Sequence, residues 1–362
     1  SGSRPGISEK QDSEFTKDKE NSELRARYRR LTGCDISGKP KVAILLTTHK
    51  DPPLLKQILC SLKKTEYSNF EVLVVDCTSA RVKEILESTA LEVPVHYIAL
   101  QEDMGAAHHL NVALRLALRR SGVKYTVRIE GDAIPLGSRW LHKLVDVMES
   151  NPEVTIAMPW DTNRHGQLGY GGRLYGNGTF CAIDPRSIDR IDEVVPCIGT
   201  GGHCFITRNS YLAELFKEGM RPYWDPFYIS SEDIDFSLKA WLRSYKVVTV
   251  GSARVLHEGT TGPRRAPYRV YHMYKNRLCL LLLNFGAGHI LANIWYRLLQ
   301  DLLSALFHSE LDLMFRAYAW SVSHLTEILR QRDLRMAQWK RVDDDELKHH
   351  IFVRMPMPIR QL

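Results

Sequence analysis

The stretch "VRIEGDAIP", residues 127–135, decides the reading of this chain. An apolar run from Tyr125 to Ile129 predicts a buried strand. The run ends in Glu130 and Asp132, with only Gly131 between them, and Pro135 blocks further ladder pairing soon after. Two like charges this close repel each other, so something must compensate them. A divalent cation would do so, and so would a solvated turn. For an isolated pair of acids at a strand end the turn is the commoner outcome, so the neighbouring segments have to decide.

Those segments alternate in type. "KVAILLT", from Lys41, is a continuous apolar strand suited to burial on both faces. "PPLLKQILCSLKK" has helical spacing, with Pro52 and Pro53 placed to open the helix. "FEVLVVD" is the next strand, followed by the polar turn "CTSA" and the helix "RVKEILEST". "VPVHYIAL" is a third strand, and "GAAHHLNVALRLALRRS" a helix that ends basic before Gly122. "YTVRIE" is the fourth strand. This alternation predicts an α/β fold, a mostly parallel sheet with helices on both faces. In open parallel sheets ligands bind beyond the carboxyl ends of the strands. Here those ends carry Thr47 to Lys50, Asp76 to Ser79, and Glu130 with Asp132.

The bulk properties allow this. The 362 residues are 44% hydrophobic and 25% charged, as in an ordinary globular protein. A net charge of +7 favours anionic partners without choosing among nucleotides, phosphorylated substrates, acidic lipid and nucleic acid. The seven cysteines form no C-x-x-C pair and read as reduced thiols of an intracellular protein, neither a disulfide frame nor a zinc site. No G-x-G-x-x-G or P-loop pattern is present. "SGS" reads as a cloning scar, with no signal peptide, and residues 1–22 as a mobile leader before a short basic helix, "ELRARYRRL".

From about 150 to 265 the pattern is mixed. "GRLYGNGTFCAI" predicts a hairpin turning at Asn177–Gly178. "IGTGGHCFITRNS" is glycine-rich and then strand-like, and "KVVTV" and "ARVLH" read as two short strands. Each candidate residue has a plain reading beside a functional one. Asp76 is a turn or capping carboxylate, or an acceptor for the N–H and O–H groups of a nucleotide. Gly105 is a loop residue, or a point of close backbone approach. Glu232, Asp233 and Asp235 in "SSEDIDF" stabilise a helix start capped by Ser231. Alternatively one of them is a general base whose pKa is tuned by the aromatic stretch Tyr223, Trp224, Phe227 and Tyr228. His257, ending "ARVLH", is structural unless it faces Asp132, when imidazole plus carboxylate would suit Mn²⁺ or Mg²⁺. "RRAPYRVYHMYKNR" interleaves five basic residues with three tyrosines. It fits a basic helix face, a nucleic-acid surface, or a clamp for a diphosphate.

Taken in order, these segments resemble glycosyltransferase family 2, and within it the bacterial and archaeal rhamnosyl- and galactofuranosyl-transferase-like members. The resemblance runs from about Lys41 to Arg277 and rests on "LLTTHK", "VVDCTS", "DMGAAHHLN", "IEGDAIP", "EDID", "ARVLH" and "YHMYKNR". It implies the GT-A fold, a Rossmann-like, mostly parallel sheet with flanking helices, plus a C-terminal helical region. It also implies an inverting transfer of sugar from a nucleoside diphosphate sugar, with UDP the default base, to a hydroxyl of a glycan or lipid-linked acceptor. By this resemblance Asp233 is the catalytic base, and Asp132 and His257 hold Mn²⁺ or Mg²⁺. Thr47, Thr48, Asp76, Gly105, Asn111, Glu130, Arg264 and Arg265 contact the nucleotide sugar; Trp224, Glu232 and Gly201 contact the acceptor. Two positions depart from the pattern: Glu130 stands where the first Asp of D-x-D is usual, and Lys275 where Arg is common.

The expected division is 1–38 leader, 39–265 catalytic, 266–362 helical. "LCLLLLNFGAGHILANIWY" (278–296) is about long enough to span a bilayer, but Asn284, His289, Asn293 and two glycines interrupt it. Helices that pack on the catalytic part or lie on a membrane are expected instead, with peripheral contact at a cytoplasmic membrane face, and a homodimer left open. Two alternatives from other classes are an inactive sugar-nucleotide-binding scaffold and a nucleic-acid-binding protein built on the tyrosine-rich basic helix. The leading reading excludes a nucleic-acid partner.

Overall fold

The computed structural model describes residues 38–48, 54–76, 80–100, 102–163, 168–169, 171–183, 194–199, 202–257 and 265–353. The expected leader and its basic helix, the Pro52–Pro53 helix start, the "CTS" turn, Gly201 and Arg264 lie outside the described residues.

Strands β1 (Lys41–Thr48), β2 (Phe70–Asp76), β3 (Val95–Ala99) and β4 (Val123–Glu130) are parallel and lie in the order 3-2-1-4. β2, β3 and β4 are each reached through a helix: α1 (Leu55–Lys63), α2 (Ala80–Thr89) and α3 (Ala106–Leu118). The continuous apolar runs fit this position, because every residue of β2 is buried. Register aligns the strand ends, with Thr48 opposite Asp76 and Thr47 opposite Glu130.

Beyond β4 come β5 (Ala133–Leu136), α4 (Trp140–Ser150), β6 (Val154–Thr162), β7 (Leu168–Gly169), β8 (Gly172–Leu174), β9 (Phe180–Ala182), β10 (Val194–Pro196) and β11 (Cys204–Arg208). β11 enters the sheet antiparallel, between β4 and β6. β8 and β9 form the expected hairpin, with Gly178 in its turn at φ +80°. The two strands expected between 246 and 257 are one, β12 (Lys246–His257), parallel to β6. Its register slips between Val250 and Arg254, so Gly251–Ser252 marks an irregularity within a strand, not its end.

After α5 (Asn209–Lys217) the chain passes a 3₁₀ turn at Asp225–Phe227 and enters α6 (Glu232–Leu242). Ser231 does not cap α6 as expected. Its φ is +65° and its side chain makes no capping bond. Tyr228 and Ser230 are also left-handed, at φ +58° and +71°. Such a turn is costly for non-glycine residues and needs support. α7 (Pro267–Asn284) supplies it: Asn276 Nδ2 donates to the carbonyls of Phe227, Ile229 and Ser230, and Lys275 Nζ to that of Pro226.

The remaining chain is helical: α8 (Ala287–Phe307), α9 (Leu311–Ser323), α10 (Leu325–Asp333), a π turn at Leu334–Trp339, and α11 (Asp344–Ile351). The apolar stretch 278–296 is split between α7 and α8 at Phe285–Gly286. Among the described residues no helix is long and apolar enough to cross a membrane. One hydrophobic core runs from the sheet into these helices, from Leu45 and Leu73 to Ile328, Trp339 and Phe352.

Asp235 fastens α6 to this region. Its carboxylate, wholly buried, accepts hydrogen bonds from Lys239 Nζ (2.6 Å), Asn284 Nδ2 (3.0 Å) and the Arg335 guanidinium. Burial alone would raise its pKa, but Arg335 and Lys239 outweigh that and hold it well below the ordinary 3.8. Its stabilising contribution is therefore present above that ordinary value and lost as pH falls through the depressed one. Arg335→Met leaves Asp235 without its main partner. It is expected to cost about 3–5 kcal/mol of stability in urea unfolding, the usual loss when one member of a buried pair is removed. A loss below about 1 kcal/mol would show that the helices do not depend on this tie.

Candidate active site and metal centre

The carboxyl ends of β1, β2, β4, β6 and β12, the start of β11 and the first turn of α6 meet at one edge of the sheet. Asp132 lies there just past β4, buried, and neither carboxylate oxygen has a hydrogen-bond partner. His257 Nε2 is 3.5 Å from Asp132 Oδ2. The pairing of Ala133 with His257 between β5 and β12 brings these two together. His203 stacks on His257, ring centroids 3.4 Å apart. Asp132, His203 and His257 each offer one ligand atom, all within 4.8 Å of one another, a set that could hold a metal ion. A buried carboxylate with both oxygens orphaned is costly unless something pairs it, so the residues fit a cation. Two imidazoles with one carboxylate suit Mn²⁺ better than Mg²⁺, which prefers oxygen.

Glu130 is not itself one of that set. Its carboxylate accepts from Arg128 Nη2 and lies 3.2 Å from His203 Nδ1. Burial would raise its pKa, but Arg128 and His203 outweigh this and hold it at about 2. A carboxylate on one imidazole nitrogen fixes the ring and leaves the other nitrogen to face the site. His203 Nε2 also lies 3.6 Å from Asp161 Oδ2, at the end of β6. Burial raises the Asp161 carboxyl to about 6. Burial alone would lower the His203 imidazole, but Glu130, Asp161 and Asp132 together raise it to about 9.

Arg128 lies beneath these groups, 2% exposed, with Nε and Nη1 unpartnered. Its Nη2 is 4.0 Å from Glu232 Oε1. Glu232 and Asp233 are both buried, and burial raises both carboxyls, Glu232 to about 8 and Asp233 to about 6, against the pull of Arg128. The glycine-rich segment passes between these groups. Gly202 has φ +71°, and a Cβ there would meet Arg128 Nη1 at 2.7 Å and Asp233 Cβ at 3.2 Å.

The other candidates divide. Asp76 is fully buried, accepting from Thr48 Oγ1 (2.8 Å) and Tyr97 OH (3.0 Å). Thr47, the last residue but one of β1, is half-buried and lies opposite Glu130. Gly105 and Asn111 are engaged by protein. At Gly105 (φ +86°) a Cβ would strike the Tyr228 ring at 2.3 Å, so its freedom serves the left-handed turn before α6. Asn111 exchanges hydrogen bonds with the Tyr223 backbone and donates to Asp225 Oδ1. Trp224 is a core residue, packed on Phe227 and Trp320, rather than an open wall. Arg265 pairs with Glu310. His203, Asp161 and Arg128 join the cluster without having been singled out in the sequence.

Order and geometry define a sheet of the GT-A type. Residues 43–216 match the family described as Glycosyl transferase family 2. No curated protein sequence matches significantly. Among solved structures, GalNAc-T7 with UDP, GalNAc and Mn²⁺ is 14% identical, with TM-score 0.52 over 69% of this chain and 48% of that one. This chain thus spans about half the length of GalNAc-T7. The mannosyltransferase PcManGT from Pyrobaculum calidifontis, with GDP-Man and Mn²⁺, is 16% identical, with TM-score 0.50 over 88% and 92% of the two chains. S. aureus TarS 1–349 is 14% identical, with TM-score 0.50 over 82% and 90%. At such identities the likeness shows the fold alone. The fold is GT-A, and its first half, residues 43–216, matches glycosyl transferase family 2.

Proposed function

We propose that this chain transfers a sugar from a nucleoside diphosphate sugar to an acceptor hydroxyl, with inversion, using Mn²⁺ held by Asp132, His203 and His257. The observation that carries the proposal is the orphaned Asp132 carboxylate facing two histidines at the carboxyl edge of the sheet. A metal bound there would neutralise the charge of the departing nucleoside diphosphate. Thr48 and Tyr97 orient Asp76 at the carboxyl end of β2, the edge at which the nucleotide would lie. Asp233 takes the proton from the acceptor hydroxyl, which attacks the anomeric carbon from the face opposite the leaving group, so one displacement inverts the centre. Lys275, Asn276, Gly105 and Asn111 hold the turn and loop from which Asp233 is presented. GalNAc-T7 and PcManGT carry Mn²⁺ with UDP or GDP-Man in their structures, which supports the donor class.

Thermal-shift screening of UDP-, GDP- and dTDP-sugars with and without Mn²⁺ tests the reading, because a ligand that binds only the folded state stabilises it by mass action. Stabilisation by a nucleotide sugar only when Mn²⁺ is present is the expected result. Indifference to all of them would end it.

A companion prediction concerns Glu130, here an outer support of His203. Glu130→Gln is expected to weaken Mn²⁺ by ~10–100-fold, the usual effect of losing such a partner, without abolishing binding. If calorimetry shows binding lost outright, as for a ligand, Glu130 belongs on the metal.

A further inference from the structure

α8 is built inside out. Its buried face is polar. Arg297, wholly buried, pairs with Asp301 and donates to Thr179 Oγ1 (2.8 Å), and Asp301 accepts from Tyr318 OH (2.7 Å). Gln300 accepts from Asn177 and Thr179 in the β8–β9 hairpin. The outward face is apolar throughout. Every exposed position from 287 to 307 is Gly, Ala, Leu, Trp or Phe. Leu291 is 74% exposed, Trp295 62% and Phe307 82%. From Leu291 to Phe307 the stripe is about 25 Å long at 1.5 Å per residue. α9 and α10 add exposed Phe315, Val322, Leu325 and Leu329, interspersed with exposed Asp312, Arg316, Thr326, Arg330 and Asp333. Water is a poor solvent for such a surface, and patches this large mark a contact.

The chemistry of the face selects its occupant. A protein partner brings hydrogen bonds, roughly one per 100–200 Å² of interface. Along the exposed α8 face the side chains offer a single polar group, the Trp295 indole N–H. Hydrocarbon asks for none, and tryptophan favours the boundary between lipid and water. Exposed Arg316 and Arg330 follow Phe315 and Leu329 and can reach anionic headgroups, but exposed Asp312 and Asp333 lie on the same helices, so the apolar face rather than net charge carries the contact. Past Phe307, Glu310 pairs with Arg265, just before α7.

We propose that the outer face of α8, continued by α9 and α10, lies in the surface of an anionic bilayer. The inference is independent of the transfer reaction, since a chain that binds vesicles but no Mn²⁺ would keep it and lose the other. The test is flotation of the full chain with phosphatidylcholine vesicles containing phosphatidylglycerol, at low salt. The wild type is expected to float. A variant carrying Leu299→Gln, Leu303→Gln and Leu306→Gln, all exposed positions, is expected to float on the order of 10-fold less while keeping its Mn²⁺ and nucleotide binding. Added salt should lower the bound fraction through the arginines. A wild type that stays out of the vesicle fraction at low salt overturns the proposal. So does light scattering that shows a dimer which the triple variant splits, because the face would then belong to a second copy of the chain.

Discussion

Asp132→Ala is expected to abolish Mn²⁺ binding measured by calorimetry with saturating nucleoside diphosphate, and His203→Ala and His257→Ala each to weaken it. The asymmetry follows from charge. Asp132 is the one anion in the set, and its two buried oxygens have no protein donor. The histidines bring no negative charge to the metal, and either can be replaced in part by water. Loss of the carboxylate should therefore exceed the ~10–100-fold that removing an outer partner such as Glu130 costs. The fold should survive, because Asp132 supports nothing by hydrogen bonding in the structure. The Mn²⁺ paramagnetic resonance spectrum gives a second readout without turnover. Unchanged affinity in all three variants would remove the metal centre, and with it the basis for the proposed donor.

Part of this site was legible before any coordinates. The alternation from Lys41 to Glu130 implied which strand ends would share an edge, and Asp76, Glu130 and Asp132 follow from that. His203 was not legible, because it matters only once β11 inserts antiparallel between β4 and β6, a pairing between distant segments that no local pattern encodes. Arg128 did leave a signal. An arginine inside the apolar run "YTVRIE" must find carboxylates if buried, and Glu130, two residues on, shares its face of the strand. Gly105 and Asn111 show the opposite case, motif positions whose visible partners are protein. The apolar and polar residues of α8 recur at helical spacing, but that spacing does not say which face turns inward, since both faces follow the same 3.6-residue repeat.

Asp233→Asn is expected to lower transfer by ~10²–10⁴-fold, the usual range for a general base, while keeping the fold and Mn²⁺ binding. Its two acidic neighbours separate this role from others. Burial raises Asp233 to about 6, so near neutral pH it is largely ionised and able to take a proton. Burial and the nearby Asp233 charge raise Glu232 further, so it keeps its proton to higher pH than Asp233 does. Glu232→Gln, which resembles that protonated form, should therefore cost little. Asp235→Asn should act on stability, because Asp235 is spent on Lys239, Asn284 and Arg335 inside the core. The sign of the pH dependence follows from the base: transfer should fall as pH drops through about 6, where Asp233 gains its proton. Arg128 opposes that proton, so Arg128→Met should move the acidic limb to higher pH. The decisive measurement is single-turnover transfer across pH with donor, metal and acceptor saturating. If Glu232→Gln loses turnover and Asp233→Asn keeps it, the two carboxylates exchange roles and Glu232 is the base.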